Sequence, residues 1–185
     1  MEMMRMLPLT IPATELWDEA NETFLYTEEQ TLELEHSLVS LSKWESKYHK
    51  PFLTKEAKTV EETTYYIKCM TLNENVDETV YSLLTNEHLE KINKYIEDPM
   101  SATTIKELQR GKRNGEQVTS ELIYYWMTAL NIPVEYERWH LNRLFTMIRV
   151  CNIKNQPPKK MGKRAVMNQN RALNEARRQQ YNTKG

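Results

Sequence analysis

Glycine is scarce in this sequence: four in 185 residues, two of them in Arg110-Gly111-Lys112-Arg113-Asn114-Gly115. That leaves little material for a phosphate-cradling loop, and the G-x-x-x-x-G-K-S/T spacing is absent; the segment reads as an exposed polar loop. Cysteine is scarcer, with only Cys69 and Cys151, so there is no disulfide framework, and lone thiols on apolar helix faces read as buried structural groups. No apolar run approaches the roughly 18 residues of a membrane span. Of the 26 acidic residues only Asp18, Asp77 and Asp98 are aspartates. The adjacent pairs Asp18-Glu19 and Glu97-Asp98 point apart on a strand or helix, so neither builds a two-metal site. No two of His36, His49, His88 and His140 lie within five residues of each other, which excludes H-E-x-x-H and similar ligand spacings. Ser42, His49 and a glutamate are available for a triad, but no G-x-S-x-G elbow supports one. These absences lead us to expect a non-enzymatic protein without metal or cofactor.

What is present is a foldable composition, 39% hydrophobic and 28% charged, of a length that suits one domain with an appended segment. The net charge of −1 excludes a uniformly basic nucleic-acid binder but hides a strong asymmetry. Residues 1–37 hold nine acids and Arg5, a balance of −8, whereas residues 154–185 hold nine bases and Glu175, a balance of +8. Split ends of this kind belong either to plain solvated surfaces or to an interaction tail and head-to-tail self-association into a homo-oligomer. Met1–Met6 is too short for a signal-peptide apolar region, so the chain is expected to stay where it is made, in a reducing compartment.

Periodicity divides the chain into an acidic β segment (1–37), a helical core domain (38–153) and a basic, helix-forming tail (154–185). In the first, residues 7–11, Phe24–Tyr26 and Leu32–Leu34 read as a three-strand meander, with Asn21 and Glu22 turning between strands. In the second, Ser42/Glu45, Thr59/Glu62 and Asn75/Glu78 read as capping boxes and Thr85 as a fourth cap. Residues 119–153 carry two apolar stripes, Leu122–Leu130 and Trp139–Ile148, joined at Asn131-Ile132-Pro133, which predicts antiparallel neighbouring helices. Their aromatics, Tyr124, Tyr125, Trp126, Tyr136, Trp139 and Phe145, are expected to centre the core rather than line a partner groove. Pro157-Pro158 ends that unit. Residues 163–181 are good helix formers with a thin apolar stripe of Val166, Leu173 and Tyr181, a helix that orders fully on a partner. The fold class expected is α+β and predominantly α-helical: a small N-terminal β-meander, a compact multi-helix domain and a basic C-terminal helix.

Several segments have a familiar form. Leu34-Glu35-His36-Ser37-Leu38-Val39-Ser40-Leu41-Ser42-Lys43-Trp44-Glu45-Ser46-Lys47, Ile123-Tyr124-Tyr125-Trp126-Met127, Trp139-His140-Leu141-Asn142-Arg143-Leu144, Pro157-Pro158-Lys159-Lys160-Met161 and the closing Asn174–Arg178 and Asn182–Gly185 resemble a family of small proteins from tailed-bacteriophage structural modules. The resemblance runs from Leu9 to Gly185. It implies a tail assembly chaperone in the host cell cytoplasm, one that coats the tape measure protein, shields its apolar stripes and assists the tail tube protein in polymerising around it. Binding of that kind is multivalent and individually weak. No catalytic or metal residues come with it. Two other functions stay open: a virion structural component (head–tail joining or minor tail protein), and a nucleic-acid-binding accessory protein acting through the basic tail. For the chaperone, two partner-binding surfaces are expected. One is the exposed side of the 119–150 helix pair, with Tyr125, Arg138, His140 and Arg143; the other is the tail, with Arg171, Arg177 and Arg178. Arg138 and Arg143 have a plainer alternative, surface ion pairs with Glu135 or Glu137.

Overall fold

The computed structural model describes residues 6–18, 22–104, 117–156 and 162–182. The expected 110–115 loop and the Pro157–Met161 segment lie outside the described residues. The chain is α+β and predominantly helical, and it divides into two compact units, residues 1–152 and 153–185.

The N-terminal strands are β1 (Leu7–Ile11), β2 (Thr14–Asp18), β3 (Thr23–Thr27) and β4 (Gln30–Leu34). They do not form a three-strand meander. β1 pairs antiparallel with β4, and β2 with β3, so the chain runs out and back as one long hairpin, with Glu22 in the left-handed turn region (φ 47); Asn21, the other turn residue expected, lies outside the described residues. Leu7 faces Leu34, Ile11 faces Gln30, Thr14 faces Thr27 and Asp18 faces Thr23, one register throughout. The ladder opens only at Pro12-Ala13 and Glu28-Glu29, where Pro12 has no N–H to give. Beside the gap, the Thr27 hydroxyl donates to the Thr14 carbonyl (3.0 Å) and accepts from the Thr14 N–H (3.3 Å). Period-two alternation identifies strands but not their partners, and here the partner of the first strand is the last.

The root of the hairpin, β1 with β4, buries Leu9, Ile11, Leu32 and Leu34 on one face, each contributing about 1.5–3 kcal/mol. The outer edge of β4 is covered by residues 70–73. The Glu35 N–H donates to the Met70 carbonyl (2.8 Å) and the Leu72 N–H to that of Glu33 (2.9 Å). The Asn73 side chain accepts from the Glu33 N–H and donates to the Thr31 carbonyl. A covered edge cannot template further pairing.

Six α-helices follow among the described residues: α1 (Leu38–Tyr48), α2 (Val60–Met70), α3 (Asn86–Glu97), α4 (Ser120–Ala129), α5 (Leu141–Asn155) and α6 (Lys163–Tyr181). Thr59 with Glu62 caps α2 as expected, and Thr85 caps α3 with His88 as its reciprocal partner. The Ser42/Glu45 box is not used: α1 begins earlier, with Ser37 and Ser40 capping each other. Glu45 is buried instead. One carboxylate oxygen accepts from the Phe52 N–H (2.8 Å) and the other from the Ser120 N–H (2.7 Å), satisfying a free amide at the start of α4. Asn75/Glu78 is likewise replaced by Asp77, which caps a short 3-10 helix, Glu78–Leu83.

Two cores result. The hairpin root, Trp44, Tyr66, Ile67, Met70, Val80 and Ile92 form the first; Leu38, Leu41, Ile123, Met127, Leu141, Leu144 and Ile148 form the second. Helix α1 serves both, and the root of the hairpin shares the first core with the helices that follow. The expected aromatic centre of residues 119–150 is corrected: the second core is aliphatic apart from Met127, and Tyr124, Trp126, Tyr136 and Phe145 pack around it half-buried. The aromatic centre lies in the first core, where the Trp44 indole N–H donates to the Glu62 carbonyl (2.9 Å) and the ring meets Phe52 edge-on. Between α4 and α5 the expected tight connection is interrupted by a 3-10 helix, Val134–Arg138, and α5 starts only at Leu141. In the second unit, α6 coincides with the predicted 163–181 helix, and all its described side chains are exposed.

Candidate partner-binding surfaces

Helix α4 opens with Thr119 accepting from the Leu122 N–H, which orients Ile123 and Met127 inward. Tyr125, on the opposite side, is 66% exposed. Arg138 is exposed at the end of the 3-10 helix. Arg143, exposed in the first turn of α5, lies over the Trp139 ring at 4.2 Å, and Trp139 stacks on Tyr136 at 3.9 Å. Among the described residues the ion pairs are Lys50–Glu62 and Lys68–Glu78, so the expected pairing of Arg138 or Arg143 with Glu135 or Glu137 is absent. Glu137 instead accepts from the Tyr124 hydroxyl (2.9 Å); burial, then this bond, push the Tyr124 phenol up to about 12.

His140 corrects the expected surface. It is 7% exposed, because the chain between the 3-10 helix and α5 is drawn inward: the Leu141 N–H donates to the His36 carbonyl (2.9 Å). His140 Nε2 bonds the Tyr95 carbonyl (2.9 Å), while Nδ1 is buried without a hydrogen-bond partner. The His36 ring stands edge-on at 5.0 Å, its Nδ1 in a 2.7 Å bond with the Tyr66 hydroxyl. Burial, with His140 adding to it, lowers His36 to about 3; burial lowers His140 too, against the opposing Tyr95 bond. A carbonyl accepts only a proton, so Nε2–H is the protonated nitrogen of neutral His140 and Nδ1 is a bare acceptor. This neutral pair joins α2, α3 and α5 at the seam between the two cores. Four histidines spread along the chain give no local signal of it.

His140 and Arg143 share the lining of a cavity of about 320 Å³ with Asp98, Met100, Ser101 and Trp139. Tyr125 and Arg138 are not part of that lining. Asn142 fixes one wall by donating to the Ile96 and Asp98 carbonyls (2.8 and 2.9 Å). Cys69 is buried, which raises its thiol, and Cys151 is half-buried beside the second core. Among the described residues no cluster of three or more His, Cys, Asp or Glu is placed to hold a metal, and no helix is long and apolar enough to cross a membrane.

Arg171, Arg177 and Arg178 lie on α6, all exposed. Arg164, Arg171 and Arg178 follow one another at seven-residue intervals, two helical turns, and so form a single ridge. Sequence reading picked out the second and third of these and passed over Arg164 and the interval. It marks Phe24–Tyr26 as a strand but passes over β2 and the exposure of Tyr26 and Phe24, 72% and 53%. Comparison with family models, with curated proteins and with solved structures finds no match for this chain.

Proposed function

We propose that this protein is a phage tail assembly chaperone, a non-enzymatic protein of the host cytoplasm that binds the tape measure protein and assists assembly of the tail tube. The observation that carries the reading is α6: nineteen residues of helix with every described side chain exposed, an arginine ridge, and exposed Val166, Met167, Leu173 and Tyr181. An isolated helix with such a stripe is marginal in water and gains by laying it along another helix. A long helical client with apolar stripes offers that surface repeatedly, and many weak contacts then sum to firm coating. Tyr125, Arg138 and Arg143 add an exposed aromatic and basic surface on the body. The resemblance to phage tail-module proteins supplies the identity of the client.

The test is affinity capture of the chain at native level from producing cells, with half the lysate treated with nuclease. Recovery of a very long helical protein and a tube subunit in both halves is expected. Loss of all partners after nuclease would reassign α6 to phosphate binding, for which it offers only Tyr181 as a stacking ring. Presence of the chain in purified particles would identify it as a virion component.

A further inference from the structure

The outer half of the hairpin is a second exposed element. β2 and β3 form a two-stranded ribbon whose outer edges have no ladder partner among the described residues. A ribbon of this kind is marginal alone. Because the register is continuous, residues 24 and 26 fall on the same face as Leu32 and Leu34. That face closes the first core at the root and then continues outward as Tyr26 and Phe24, largely exposed. Around it stand Glu15, Glu22, Glu28, Glu29 and Glu33, all exposed, with no lysine or arginine between residues 6 and 37.

Helix α6 is the complement. At 100° per residue, one half of its surface carries Val166, Met167, Leu173 and Tyr181 together with Arg177, and the ridge Arg164–Arg171–Arg178 borders it. The opposite half holds only small and polar residues, among them Ala172, Ala176, Gln169 and Gln179, and the one acid, Glu175. The ridge spans about 21 Å and the β2–β3 arm about 17 Å.

We infer that the β2–β3 arm of one copy binds the basic-apolar half of α6 from a second copy. Tyr26 and Phe24 cover Val166, Met167 and Leu173, and the arm's carboxylates meet the arginine ridge. Charge selects this occupant over a second arm: two arms laid edge to edge would set glutamates against glutamates. The contact is heterologous, since arm and helix are different surfaces, so it propagates from copy to copy rather than closing as a two-fold dimer. A row of subunits is the form that would coat a filamentous client, but the contact itself does not depend on what that client is.

The test uses the full chain in sedimentation velocity over a range of concentrations. At low salt the weight-average mass is expected to rise above the 22.1 kDa monomer with concentration and to return to it at about 0.5 M salt, where charges are screened within a few ångströms. The triple substitution Arg164→Glu, Arg171→Glu, Arg178→Glu is expected to keep its helical circular dichroism and remain monomeric. The same is expected of Glu15→Lys, Glu28→Lys, Glu29→Lys. Mixing the two variants restores each missing complement, so the mixture associates while neither does alone. Wild-type chain that stays monomeric at every concentration, variants that still associate, or a mixture that fails to do so would overturn the inference. None of these outcomes bears on client capture, so this inference and the proposed function fail separately.

Discussion

The two halves of the N-terminal hairpin share one register and one alternation, yet they lead opposite lives. At the root, Leu9, Ile11, Leu32 and Leu34 lie at 0–2% exposure against Trp44, Ile67 and Met70. In the arm, the same face presents Tyr26 at 72%. The root's β4 edge is covered by residues 70–73, while both outer edges of the arm have no ladder partner among the described residues. The difference lies in packing: Trp44, Tyr66, Met70 and Ile92 of α1 to α3 bury the face of the root, while Tyr26 and Phe24 in the arm stay largely exposed. A strand pattern therefore says that a face is apolar, and tertiary structure decides whether that face is core or interface.

Emptying the root should have the largest effect. Trp44→Ala removes the largest fully buried side chain and should cost about 3–5 kcal/mol, and Leu32→Ala about 2–5. Tyr26→Ser in the arm should stay within about 0.5 kcal/mol. Urea denaturation of dilute chain at high salt checks all three. Similar losses for Leu32 and Tyr26 would mean that the arm is packed as the root is.

Acid should destabilise the body through its buried histidines. His36 in the fold takes a proton only near about 3, against 6.5 for an ordinary histidine. Between those values unfolding takes up a proton, so stability is full above pH 6.5 and falls as the pH drops toward 3. At about pH 5 the loss from His36 alone is ~2 kcal/mol, and His140, lowered in the same direction, adds to it. Denaturation midpoints between about pH 7 and 5 measure this, and His36→Gln should flatten most of the slope.

A smaller effect separates the caps. Ser37→Ala removes the side-chain acceptor that starts α1 beside the root and should cost about 1 kcal/mol. Ser42→Ala, at the position where sequence reading put that cap, should cost a few tenths. Thermal unfolding of the pair distinguishes the two starts.

What was legible in the chain follows the range of the interactions. Thr59 with Glu62, Thr85 and the whole of α6 rest on neighbours within four residues, and each was readable. The β1–β4 pairing links positions up to 27 apart (7 to 34), and period-two alternation carries no information about partners at that distance. Glu45 was readable as a helix residue, but its bond to Ser120 depends on how α1 meets α4. His140 follows the exposed Arg138 and the half-buried Trp139, and only the bonds to Tyr95 and His36 turn it inward. The aromatics of residues 124–145 fit the helical stripes, yet Ile123, Met127 and Leu144 fill the second core, which leaves the larger rings at its rim. The candidate surfaces were legible in part: Tyr125, Arg138, Arg143 and the α6 arginines are exposed, while the arm's role needed the register.

The most direct measurement is hydrogen exchange on the full chain, first dilute at high salt and then concentrated at low salt. Fast exchange is expected in the arm, residues 14–18 and 22–27, and in residues 163–181 in the dilute chain, and slow exchange in the root and α1. On concentration, protection should appear in both fast segments together and nowhere else. Protection confined to one of them, or appearing instead along α4 and α5, would contradict the pairing of arm and helix.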